Sequence, residues 1–139
     1  MNIHESEKIA GILEKLNYKP TKDSTTADVI VFNTCCIRET AEQKIMGHIG
    51  SLKKLKKSKP NLKIILCGCM TQQENKGKEI LDKYPYVDYI LGTHNIAELE
   101  TYLISQQKSK INVEQTDGYI NDDLPVTRTS MPNAWVNII

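Results

Sequence analysis

Three short apolar runs punctuate the chain, at 28–33, 62–67 and 87–91. They are rich in β-branched residues and apolar without alternation. That pattern predicts strands buried on both faces of a parallel sheet. Between them, apolar positions recur at helical spacing. Ile9, Ile12, Leu13 and Leu16 predict a helix over 5–17, closed by Asn17 and Pro20. Ala41, Ile45, Ile49, Leu52 and Leu55 predict a second over 38–57, stopped by Lys59-Pro60-Asn61. A third over 72–84 rests on Ile80, Leu81 and Tyr84, against the helix cost of Gly77. A fourth starts near Asn95, where Glu98 stands at capping-box-like spacing, and continues through Ile96, Leu99 and Leu103.

Helices alternating with parallel strands predict a three-layer α/β domain with a mostly parallel sheet, flavodoxin-like in class. Its first helix has no strand feeding it, so a first strand is expected upstream of Met1. The domain is expected to occupy 1–106. Residues 107–133 are polar and acidic, with Pro125 and Pro132, and are expected to be a linker. A new strand pattern then begins at 134–139.

A length of 139 residues suits one such domain, and a chain of this size buries about two-thirds of its unfolded surface without disulfide staples. Hydrophobic residues at 40% and charged residues at 25% are those of a globular protein rather than a disordered one. No apolar run approaches the roughly 20 residues of a membrane span, and Glu5, Glu7 and Lys8 interrupt any secretory signal. The expectation is a cytoplasmic protein with no membrane partner.

The net charge of +1 names no partner, but its distribution is uneven. Between Glu42 and Glu74 stand seven lysines and no acid. Lys53, Lys54, Lys56 and Lys57 at the end of the second helix are candidates for contact with RNA phosphates. They would equally serve as a solvated helix face with favourable C-terminal charge. No aromatic residue interleaves them in sequence to stack bases.

Four cysteines carry the remaining chemistry, as Cys35-Cys36 and Cys67-Gly68-Cys69. Each pair ends a predicted strand, and ligands of open parallel sheets bind at the carboxyl ends of strands. A separation of about one strand–helix–strand unit brings both pairs to one edge if the strands are neighbours. Neither pair has the C-x₂₋₄-C spacing of a zinc knuckle. Iron–sulfur clusters accept thiolates from distant loops, and a Cys67–Cys69 redox dithiol is an alternative. Burial as inert core residues is a third option, favoured for Cys67 within its strand and for Cys36. Cys35 and Cys69, in loops, are the candidate ligands. His48 reads as an exposed helix residue, and no Ser-His-Asp set, phosphate loop or HExxH is present.

The strings Asn33-Thr34-Cys35-Cys36-Ile37-Arg38-Glu39-Thr40-Ala41-Glu42 and Cys67-Gly68-Cys69-Met70-Thr71-Gln72-Gln73-Glu74, with Met1 to Glu7, Leu91-Gly92-Thr93 and Trp135 to Ile139, resemble the amino-terminal domain of the radical-SAM methylthiotransferases. The resemblance covers nearly the whole chain and is strongest to the tRNA-modifying branch. It implies a parent enzyme that adds a methylthio group to C2 of N6-isopentenyladenosine next to the anticodon of tRNA. It also implies an auxiliary 4Fe–4S cluster held by three cysteines, Cys35 and Cys69 being the second and third. The first would lie upstream of Met1, so that the cluster is absent or incomplete in this chain. A second 4Fe–4S cluster and S-adenosylmethionine belong to a radical-SAM domain, of which 134–139 is the expected first strand, followed by an RNA-binding domain. The chain alone is expected to be inactive. The competing expectation is a non-catalytic module that docks RNA or another domain through its lysine-rich helix.

Overall fold

The computed structural model describes residues 3–34, 39–73, 75–105 and 111–113. The elements in order are α1 (Ile3–Lys15), β1 (Val29–Thr34), α2 (Glu39–Ser58), β2 (Lys63–Gly68), α3 (Lys76–Lys83), β3 (Tyr89–Leu91), a 3-10 turn (Thr93–Asn95), α4 (Glu98–Ser105) and β4 (Ile111–Asn112). The strands form one sheet in the order β1-β2-β3-β4, and every pairing is parallel. The predicted three-layer α/β class is what is seen.

Period-2 geometry sorts the strand residues between two cores. Ile30, Phe32, Ile64, Leu66 and Ile90 face Ile45, Ile49 and Leu52 of α2 and Ile80 of α3. Val31, Ile65, Cys67, Tyr89 and Leu91 face Ile9 and Ile12 of α1 and Leu99 and Tyr102 of α4. With both faces covered, the strands carry the uninterrupted apolar runs seen in the sequence. Tyr89 and Tyr102 stack with ring centroids 4.0 Å apart and an interplanar angle of 5°.

Helix ends follow local chemistry. Asn17 takes φ 65°, and Tyr18 N–H reaches Leu13 O while Asn17 N–H reaches Glu14 O. This pairing closes α1 with a Schellman stop. The third helix starts later than its periodicity predicts, at Lys76 rather than 72. Residues 68–73 instead make successive bonds to the carbonyl three positions back, a tighter turn that carries Cys69 off the sheet. Gly77 then falls in the first turn of α3, where a Cβ would lie 3.6 Å from both Ile90 and Ile111. Its missing side chain lets the helix approach β3 and β4. The fourth helix is likewise delayed by the 3-10 turn, and Asn95 Nδ2 donates to Glu98 Oε1 at 3.1 Å. The Asn95–Glu98 spacing thus forms a side-chain pair. The sheet also extends into the stretch read as linker, because Ile111–Asn112 pairs with Ile90 and Leu91.

Candidate metal centre

The carboxyl ends of β1 and β2 are joined unusually closely. Thr34 lies opposite Gly68 in the register, and Gly68 has φ +107°. A Cβ on Gly68 would overlap the Thr34 carbonyl oxygen and lie 2.8 Å from Thr34 N. Only glycine tolerates both the backbone conformation and the contact. Thr34 Oγ1 donates to Cys67 O at 2.7 Å, and Cys69 N–H donates back to Thr34 O at 3.1 Å. These bonds hold Cys69 beside the residue that precedes Cys35. Cys35 and Cys36 lie outside the described residues.

The two described cysteines differ in surroundings. The Cys69 side chain is half-buried, and its thiol donates to Thr34 O at 3.6 Å. Cys67 is 1% exposed in the core beneath α1. Its thiol donates to Phe32 O at 3.5 Å, and burial, helped by the Glu5 carboxylate, pushes its pKa up to about 12. A thiol that stays protonated is neither a ready ligand nor a nucleophile. Both cysteines are free thiols. The expectation that Cys67 is a packing residue agrees with this placement, and the Cys67–Cys69 dithiol has no support from it.

The edge is stiffened by residues whose part the sequence did not announce. Thr71, fully buried, directs its hydroxyl to Gly68 O at 2.7 Å and Leu91 O at 2.5 Å. Gln72 Oε1 accepts from Thr93 N–H at 3.2 Å, and a Cβ on Gly92 would overlap that same oxygen. Asn33 Nδ2 donates to Ser6 Oγ at 3.0 Å, tying the first turn of α1 to this end of β1. Lys76 pairs with Glu42, joining the starts of α2 and α3, and that hydrogen bond holds the ammonium pKa above its usual value. Gln72 and Gly92 lie in or beside strings that carry the family resemblance, but nothing in their spacing reveals the bond between Gln72 and Thr93. Among the described residues no three His, Cys, Asp or Glu side chains converge as a metal site.

The candidate RNA lysines divide. Lys53, Lys54 and Lys57 are exposed. Lys56 is not available: its Nζ donates to both Asp88 carboxylate oxygens, at 2.9 and 2.7 Å, and to Leu62 O. Asp88 in turn accepts from Ile64 N–H at 2.8 Å. Lys56 is thus a strut between α2 and the starts of β2 and β3, which corrects its place in the RNA-contacting group. All four lysines sit at the end of α2 that leads into β2, hence at the amino edge of the sheet. A 20-residue helix spans about 30 Å, so this edge is remote from Cys69.

A family model described as uncharacterized protein family UPF0004 matches residues 1–92. The chain belongs to that family. Its match takes in Thr34, Cys35, Cys67 and Cys69 together with the lysines of α2. Three curated relatives align over the whole chain. This UPF0004 chain is 44% identical over 142 residues to a protein of Carboxydothermus hydrogenoformans, of which it covers 32%. It is 46% identical to one of Clostridium tetani, covering 31%, and 48% identical to one of Staphylococcus aureus, covering 28%. Each relative is named tRNA-2-methylthio-N(6)-dimethylallyladenosine synthase. The chain spans about a third of the length of these curated relatives. No helix among the described residues is long and apolar enough to cross a membrane.

Proposed function

We propose that this UPF0004 chain is the cluster-holding domain of a tRNA methylthiotransferase acting in the cytoplasm on C2 of N6-isopentenyladenosine beside the anticodon. The relatives' shared name supports the substrate and reaction. The observation that carries the site assignment is the bond from Cys69 N–H to Thr34 O. It sets Cys69 next to Thr34, the residue before Cys35, at the strand edge where parallel sheets bind ligands. Cys35 and Cys69 would supply two thiolates to an auxiliary 4Fe–4S cluster, with a third from the longer protein.

The surroundings suit such a group. Thiolates are its donors, Cys69 is half-buried rather than sealed, and Gly68 leaves no side chain beside it. When bound, the cluster supplies an iron site for the sulfur that is transferred. The protein's part is positional. Gly68 and Thr34 hold the ends of β1 and β2 together, Thr71 anchors the Cys69 turn to β3, and Asn33 brings the first turn of α1 to the same edge. Cys67 keeps its proton and its place in the core. S-adenosylmethionine and a second cluster would belong to the radical-SAM part of the longer protein.

Iron and sulfide content after anaerobic reconstitution of the longer protein tests this reading. About four irons for this site are expected, lost in Cys35→Ala and Cys69→Ala and retained in Cys36→Ala and Cys67→Ala. Retention of the auxiliary iron in Cys69→Ala would overturn it.

A further inference from the structure

The lysines of α2 lack aromatic neighbours in sequence, but the fold provides them. Tyr86 Oη donates to Ile49 O at 2.8 Å. A Cβ on Gly50 would lie 3.8 Å from Cε1 of Tyr84. The loop from α3 to β3 therefore packs its tyrosines against α2 at Ile49 and Gly50. Lys53 and Lys57 follow Gly50 by about one and two helical turns, on that same side. Lys54 is adjacent. From the other side, Lys83 Nζ stands 5.5 Å over the Tyr84 ring, and Tyr84 and Tyr86 meet edge to face at 6.0 Å.

Charge on this surface is one-sided. Lys53, Lys54, Lys57 and Lys83 are exposed, and none of them forms an ion pair among the described residues. Asp88, mostly covered, is already paired with Lys56, leaving exposed Glu79 and Asp82 of α3 as opposing charges against the four lysines. Flexible ammonium groups around half-buried phenol rings suit a phosphate backbone, which they grip without reading sequence.

We infer that the surface formed by Lys53, Lys54, Lys57, Lys83, Tyr84 and Tyr86 docks the phosphate backbone of RNA. The inference rests on the tRNA reading above and adds a second point of contact. Its place at the amino edge of the sheet keeps it away from Cys69, so it holds a part of the RNA distant from the base being modified.

Fluorescence anisotropy of a labelled tRNA transcript with the chain, from 50 to 200 mM NaCl, tests it. The variants are K53Q/K57Q and, with the same loss of charge on exposed loop lysines, K19Q/K22Q. K53Q/K57Q is expected to bind about fivefold or more weakly and to reduce the slope of log K against log salt by roughly 1.4–1.8, about 0.7–0.9 per lost phosphate contact. K19Q/K22Q is expected to stay within about twofold of the parent. Equal weakening by both pairs, an unaffected K53Q/K57Q, or no binding by the parent chain at 50 mM salt would each overturn the proposal. Iron content of the longer protein separates the two readings. Normal iron with binding unmoved in K53Q/K57Q removes this surface and spares the cluster, whereas binding lost as expected with no iron does the reverse.

Discussion

Cys69 donates its backbone N–H to Thr34 O at 3.1 Å and turns its thiol to the same oxygen at 3.6 Å. The candidate ligand is therefore positioned by the last rung of a parallel ladder, so disturbing that rung should disturb iron binding before it unfolds the protein.

Gly68→Ala tests the rung directly. The substitution places a methyl group against the Thr34 backbone at φ +107°. The positive φ costs about 1–2 kcal/mol, and separating the strand ends adds to it, for an expected total of about 2–4 kcal/mol. Urea denaturation should show the fall in stability, and reconstitution should show iron reduced along with it.

Cys67 and Cys69 should separate by reactivity. Iodoacetamide near pH 8 should modify Cys69 and leave Cys67 untouched until denaturant is added, because Cys67 is sealed in the core with its pKa near 12. Peptide mass spectrometry reads the sites, and rapid native labelling of Cys67 would contradict its placement.

Lys56→Met should cost about 2–3 kcal/mol, because it strands the Asp88 carboxylate in a mostly covered site. Asp88→Asn in the same chain should recover part of that loss. A double-mutant cycle by urea denaturation measures the coupling, and an additive cycle would show that the strut contributes nothing.

Stability should fall above pH 10. Burial, with Asp88 and Tyr89 adding to it, raises the Tyr102 phenol to about 12. The folded state thus keeps a proton that the unfolded state releases from about pH 10 upwards. Its contribution is whole below pH 10 and is lost as pH rises towards 12, by about 1–2 kcal/mol after allowance for solvent. Tyr102→Phe keeps the stack on Tyr89 and should flatten this part of the urea-midpoint profile between pH 10 and 12.

The residues made some of this legible and hid the rest. The runs at 28–33 and 62–67 announced β1 and β2 because strands covered on both faces need no polar alternation. Periodicity found α1 and α2 because each buries a single apolar stripe against the sheet. It misplaced the starts of α3 and α4, where Thr71, Gln72 and Asn95 bind across the sheet edge or to a neighbouring side chain and tighten the backbone before each helix. The bonds before α3 join residues about twenty positions apart, Thr71 to Leu91 and Gln72 to Thr93, and no local pattern encodes them, whereas the Asn95–Glu98 spacing was visible and only its 3-10 turn was not. The candidacy of Cys69 was readable from its place after a strand. The loss of Lys56 to Asp88 was not, because thirty-two positions separate them. The nearness of Tyr84 to Gly50 was hidden in the same way.

The order β1-β2-β3-β4 repeats the order of the chain itself. Each described strand docks on the one made just before it, and none has to be threaded between two already paired. During synthesis, β1 and α2 therefore present a template as soon as β2 leaves the ribosome, and each later strand closes a short loop rather than a long one. The sheet can be assembled vectorially, at the pace of translation.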